Sequence, residues 1–413
     1  MIVILNICII FRKEYIFYKK LKKMKINSSK LSFFTYCLLL PLLHLQSYFA
    51  GAGVFPVIRG RIFIILFLAV FMGIIFLKKK FTIYTIQGSF LFLVILLISL
   101  SIVLFNFNIY DNSGRSAFFF NILIVFMYVV YFIAGFFLDN LEQRKKWIIF
   151  FWLLMIGNLI FHYDFRSMSI SLDILDNDTK GIYLFLGDSF ALWSLLLLSL
   201  LQKRPLISIC VFFISAFILF LFVSRASLYA FIVVVPLIIY FTKKSLKYYF
   251  FIFILLILYF IYENMANITE INSRMLVFQD LNADPSVKER IYIFKEGFSG
   301  IKQHWFWGDY AGQAKYGNLG SYIHNYLSLW RQFGLVPFIS FCLLICFFIS
   351  KTCRVILSVR KNRKLSPDDF FLVIGGSFCL IEILVARSYT SAYIWLFLGM
   401  TLKRRNFNKS NFS

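Results

Sequence analysis

A chain of 413 residues that is 61% hydrophobic and only 15% charged has too little polar side chain to cover a water-soluble surface, and its apolar runs recur at membrane-spanning length from end to end. The formal net charge of +24 would suit a nucleic-acid binder, but the cations fall in short loops between apolar runs, which is the pattern that orients a membrane protein. The composition therefore excludes a soluble domain and points to an all-α polytopic membrane protein.

Taken in chain order, residues 1–30 form a basic segment that precedes the first span. The opening "MIVILNICII" is too short to span and lacks a secretory cleavage site, while Met24 begins "MKINSSKLSFF", which would serve as a second start. Spans are expected near 31–50, 62–77, 86–105, 116–138, 147–161, 182–201, 206–223, 226–241 and 247–261, making residues 31–261 the first nine transmembrane helices. A long polar region follows at 262–333, then three more spans near 334–350, 370–386 and 388–402, and a basic tail at 403–413. That makes about twelve helices.

Basic residues sit in alternate loops: "KKK" at 78–80, "RKK" at 144–146, "KR" at 203–204, "KKSLK" at 243–247, "KTCRVILSVRKNRK" at 351–364 and "KRR" at 403–405. With the basic N-terminal segment they all fall on one side, which the positive-inside rule makes cytoplasmic, so both termini are expected inside. The seven cysteines lie in or beside apolar or cytoplasmic segments, away from the long outer loop, which argues against disulfides and metal clusters. No nucleotide-binding glycine loop, HExxH or GxSxG occurs.

The outer loop at 262–322 is by far the longest, and its aromatics favour order. Ile291, Phe294 and Phe298 form a helical stripe in "SVKERIYIFKEGFSGIKQHWFW", followed by Trp305, Phe306 and Trp307. The expectation is a cap of short helices on the outer membrane surface, with the aromatic cluster anchoring it in the interface. A second outer loop, 162–181, carries Asp164, Asp173, Asp176 and Asp178.

"GSYIHNYLSLWRQFGLVPF", residues 320–338, then places His324 just before a short amphipathic pattern. Asn325 is suited to cap it; Tyr326, Leu329, Trp330 and Phe333 share one face, and Ser328, Arg331 and Gln332 the other, as expected of an interfacial helix. The positive end of that helix would disfavour protonation of His324 and keep it able to accept a proton. The alternative is a histidine that merely caps the helix in the head-group zone.

Arg225, in "LFVSRASLY", lies between two apolar runs, and Arg290, in "VKERIYIF", starts the loop's helical stripe. Guanidinium groups bind phosphate through paired hydrogen bonds, so a lipid-linked pyrophosphate would suit both. Head-group snorkelling of Arg225 and an ion pair of Arg290 with Glu289 are the competing readings. Arg387 is a third eligible phosphate contact. Glu382 should face the bundle interior with a partner, and Asp188 and His44 are buried polar candidates without an assigned role.

These elements, in this order, make the chain resemble the O-antigen polymerases and O-antigen ligases, the Wzy/WaaL-like polysaccharide enzymes of bacterial inner membranes. "SRAS" at 224–227 is similar to the family's Ser-Arg after a central span, and Arg290 heads a helical segment as the family's loop arginine does. "IKQHWFWGDYAG" at 301–312 is similar to its glycine-rich turn, and "HNYLSLWRQFGLV" at 324–336 to its histidine motif. Ala226 replaces a family glycine, Trp305 a proline, and Gln332 or Phe333 an acidic residue. The resemblance covers roughly residues 206–350.

The resemblance implies a GT-C-like fold and a metal-independent, inverting glycosyl transfer on the outer leaflet of the inner membrane, with no cofactor. Its substrates would be undecaprenyl-pyrophosphate-linked glycans, as donor and acceptor, among membrane lipids, with a chain-length regulator protein as a further partner and no nucleic acid. Arg225, Arg290 and Arg387 would hold the pyrophosphate, and His324 would deprotonate or orient the acceptor hydroxyl. Polymerase is favoured over ligase. A flippase, which would show repeated halves and polar lining on several helices, is the alternative of another class; a membrane acyltransferase would draw its donor from the cytoplasm.

Overall fold

The computed structural model describes residues 28–45, 112–161, 163–164, 169–170, 182–222, 224–241, 285–309, 323–360, 365–388 and 391–403. Among them the fold is helical, apart from a two-residue antiparallel ladder, β1 (Tyr163–Asp164) with β2 (Ser169–Ile170). The spans expected at 62–77, 86–105 and 247–261 lie outside the described residues, as do residues 262–284 and 310–322 of the outer loop and Asp173, Asp176 and Asp178 of the second one.

The helices are α1 (Ser28–Cys37, continued by a π turn at Leu38–Leu42), α2 (Asn112–Phe137), α3 (Lys145–Phe161), α4 (Ile182–Leu200) and α5 (Pro205–Leu221). They continue as α6 (Arg225–Val233), α7 (Val235–Phe241), α8 (Pro285–Gln303), α9 (Leu327–Phe333), α10 (Leu335–Arg360), α11 (Pro367–Val385) and α12 (Tyr393–Lys403). By length and composition α10 is long and apolar enough to cross a membrane over Leu335–Ser358, and α2 with α3 forms one further candidate. The other apolar helices are shorter, including Ser32–Leu45, Leu184–Leu200, Pro205–Leu221, Arg225–Phe241 and Tyr393–Leu402.

Three expected elements differ. Segments 116–138 and 147–161 do not return side by side but meet at 105°. The bend is made at Asn140, whose φ of 54° is left-handed, and Asp368 holds it by accepting from the backbone amides of Asn140 and Leu141, both at 3.0 Å. The span 226–241 divides into α6 and α7 around Val234, because Pro236 has no amide hydrogen and crowds the preceding turn. The basic stretch beginning at Lys351 is not a loop at first: α10 carries helix through it to Arg360.

The core lies where α1, α3, α4, α11 and α12 meet, and it is aromatic: Tyr36 stacks on Trp193 at 5.3 Å and meets Phe371 edge-on at 6.1 Å. Buried indoles keep their donors bonded, Trp193 to the Ile148 carbonyl and Trp152 to Ser194, each at 3.0 Å. Helices α2 and α12 touch backbone to backbone at two glycines, Gly135 against Leu396 and Gly399 against Phe132, where a Cβ would collide with a carbonyl.

This bundle carries α8 and α9 as a hairpin. Helix α9 packs between α8 and α10, and the turn after α8 is stitched to the end of α9. Asp309 N–H donates to the Arg331 carbonyl at 2.6 Å, Trp330 Nε1 to the Trp305 carbonyl at 2.7 Å, and Leu335 N–H to the Phe306 carbonyl at 3.0 Å. Gly334 turns the chain from α9 into α10 with φ 84° and ψ −173°, a conformation open only to glycine, directly against the Phe306 carbonyl.

Candidate functional site

Helix α8 is the amphipathic helix expected around the Ile291 stripe, and that stripe faces outward. Ile291, Phe294 and Phe298 are 40–48% exposed, as are Tyr292 and the following Trp305, Phe306 and Trp307 at 40–71%. Ile293, Gly297 and Ile301 instead form the packing face. Gly297 is seated on Ile323, and the Arg331 guanidinium lies beside it. Arg290, itself exposed near the start of the helix, stands three residues before Ile293 and seven before Gly297, in line with that packing face. It is therefore on the side of α8 that meets the segment carrying His324.

His324 precedes α9 and is half-buried. Asn325 supplies the expected cap: its side chain accepts from the Leu327 amide at 3.0 Å and its carbonyl from the Ser328 hydroxyl at 2.7 Å. The imidazole pKa is held down from 6.5 to about 4, first by burial and then by the guanidinium charges of Arg290 and Arg387 nearby. Neutrality thus has another source than the helix end invoked from sequence.

The polar face of α9 does not meet water. Ser328, Arg331 and Gln332 are buried between α8, the turn and the bundle. Arg331 is only 3% exposed, whereas sequence period identifies it as part of a polar face without saying what covers that face.

Arg387 follows α11 and is 7% exposed. Its Nε donates to Asp188 Oδ2 at 2.8 Å, and its Nη2 to Asp188 Oδ1 at 2.5 Å and to Ser227 Oγ at 3.1 Å. Glu382 Oε1 lies 3.3 Å from the same Nη2. Its third nitrogen, Nη1, is buried and makes no hydrogen bond among the described residues. Two of the three guanidinium nitrogens are therefore committed to the protein, which sequence reading does not anticipate.

Arg225 is the first residue of α6, half-buried, between two serines that turn inward. Ser227 donates to Asp188 Oδ1 at 2.5 Å and shares a 2.6 Å hydrogen bond with Ser224. "SRAS" is thus a turn with two internal anchors and an arginine between them. Gly187 makes the approach possible, since a Cβ there would stand 2.6 Å from the Ser224 Cβ.

Of the four expected residues, the structure connects Arg387 to the Arg225 turn through Ser227, and brings Arg290 and Arg387 within electrostatic reach of His324. Their neighbours in sequence, Tyr326 and Ser388, line one small cavity with Tyr128, Leu329, Phe341 and Trp395. Asp188 is the member of this constellation whose role sequence reasoning misses. The signal is there: two opposite charges inside apolar segments are expected to pair, but they are 199 positions apart.

The fold and the site are those of a helical bundle on which cations lie within electrostatic reach of a histidine beside an amphipathic hairpin, a chemistry that suits an anionic group. Residues 210–342 match the Wzy_C family, described as O-antigen ligase, which supports the resemblance of the chain to Wzy/WaaL-like proteins over that segment. The family is membrane-integral and acts on lipid-linked glycans. Neither a curated protein nor a solved structure matches the chain.

Proposed function

We propose that the chain polymerises undecaprenyl-pyrophosphate-linked oligosaccharide repeat units on the outer leaflet of the bacterial inner membrane, with both termini cytoplasmic. The observation that carries this reading is His324 within electrostatic reach of Arg290 and Arg387, with Arg387 bonded to the turn that carries Arg225. A neutral imidazole is the form that takes a proton, and cations beside it are placed for a diphosphate.

In the reaction, an acceptor sugar hydroxyl attacks the anomeric carbon of the donor as its bond to the pyrophosphate oxygen breaks. The hydroxyl proton passes to His324, and the leaving undecaprenyl pyrophosphate carries away the bonding pair. Arg225 and Arg290 offset the charge growing on that diphosphate, and Arg387 adds a contact through Nη1. Attack opposite the leaving group inverts the anomeric centre, without a metal. The exposed aromatics of α8 and its turn rest in the interface, where tryptophan is favoured.

The matched family's description as ligase supports a second reading, transfer of finished polymer to lipid A-core. Deleting the protein in its host separates the two. Single repeat units on lipid A-core are expected for a polymerase; long polymer left unattached would replace it with the ligase.

A further inference from the structure

We propose that Asp188 is a positioning residue for the diphosphate site, holding Arg387 and the Arg225 turn in one fixed relation. This rests on the glycosyl-transfer reading above and assigns a part to a residue outside its named machinery.

The geometry is that of a latch. Asp188 sits in α4, and both carboxylate oxygens are occupied: Oδ2 by Arg387 Nε, and Oδ1 by Arg387 Nη2 and the Ser227 hydroxyl. One carboxylate thereby joins Arg387, two residues past the end of α11, to the first turn of α6. A two-point contact fixes the guanidinium plane as well as its position, leaving Nη1 as the unbonded corner. Ser227 and Ser224 pass the constraint to Arg225, which stands between them.

A carboxylate near a diphosphate site is unfavourable by charge alone, so charge and position act in opposite directions here. Substituting Asp188→Asn removes a negative charge, and simple Coulomb attraction would then tighten binding of an anion. If Asp188 positions the two arginines, the same change loosens them and weakens binding. The sign of the effect separates this role from a purely electrostatic one, and measuring it on folded protein separates it from a merely structural one.

The test uses the purified full chain in detergent, titrated with farnesyl diphosphate by calorimetry, with farnesol as the control for the tail alone. Loss of a charge-assisted hydrogen-bond pair should weaken diphosphate binding about tenfold in Asp188→Asn, with farnesol binding unchanged. Ser227→Ala, which removes the hydroxyl's bonds to Asp188, Arg387 and Ser224 and leaves the ion pair, should weaken it about threefold. Equal or tighter binding by folded Asp188→Asn overturns the proposal; if that variant does not fold, Ser227→Ala decides, and unchanged binding there overturns it.

Transfer of sugar from a lipid-linked donor is assayed in parallel. A wild-type chain that binds diphosphate and responds to Asp188→Asn but transfers no sugar sinks the reaction and leaves the latch. A wild-type chain that transfers sugar, paired with an Asp188→Asn variant that binds diphosphate equally well, sinks the latch and leaves the reaction. No diphosphate binding by the wild-type chain sinks both.

Discussion

The latch around Asp188 and the hairpin of α8 and α9 are built on opposite plans. In the latch, charged groups are almost fully buried and Arg387 pairs with Asp188 across the bundle; in the hairpin, large apolar side chains point outward while an arginine, a serine and a glutamine are buried beneath. A bundle in lipid can place a charge inside only with a partner, whereas an interfacial helix can place apolar groups outside because its surroundings are lipid. The latch is thus suited to hold geometry and the hairpin to meet the membrane. His324 lies at their junction, and its environment draws on both: Arg290 from the hairpin and Arg387 from the latch.

The most severe way to break this arrangement is to remove the group at the junction. Replacing His324 with Ala should lower transfer by about 10²–10⁴-fold, the usual contribution of a general base, while leaving membrane insertion intact. Turnover of a lipid-linked donor by purified protein checks it. Wild-type rates in the variant would show that the junction does no chemistry.

Next comes the joint between hairpin and bundle. Gly334 adopts a glycine-only conformation, and Ala there should cost about 1–3 kcal/mol through backbone strain, with more from the crowded Phe306 carbonyl. A fall of the detergent melting temperature is expected. An unchanged melting temperature would mean that the hairpin is not held to α10 at this point.

A finer change tests the hairpin's contribution to the site. Arg290→Lys keeps the charge but loses the paired donors, and transfer should fall about tenfold, chiefly through a higher KM for the donor. Full activity would show that Arg290 acts by charge alone.

How far this contrast is legible in the sequence depends on which physical cue each part uses. Helices announce themselves locally, so α4, α5, α9 and α11 fall close to the expected segments, and the Asn325 cap is found where its residue type places it. Period does not say which face of an amphipathic helix is covered. Ile291, Phe294 and Phe298 read as a stripe, but nothing in their spacing shows that the smaller face of Ile293 and Gly297 is the one that packs on the protein. The 105° bend at Asn140 stays hidden because its cap comes from Asp368, far along the chain. For the same reason Arg387 reads as an open phosphate ligand: nothing beside it in sequence discloses Asp188.

The smallest expected effect is an absence of change, and it concerns His324 again. With its pKa held to about 4 by burial and two guanidinium charges, the imidazole is neutral across the range from about pH 6 to 8, so its titration should leave no limb in the rate there. An activity limb assignable to His324 and centred near 6.5 would mean that Arg290 and Arg387 are not beside it in the working enzyme. Stability should respond at lower pH. The folded chain resists a proton that the unfolded chain accepts at its ordinary 6.5, so this group's contribution is complete above 6.5 and is lost progressively as pH falls toward 4. The melting temperature of wild type should therefore drop more steeply than that of His324→Asn between about pH 6.5 and 4.5, and equal slopes would place the histidine in water rather than at the junction.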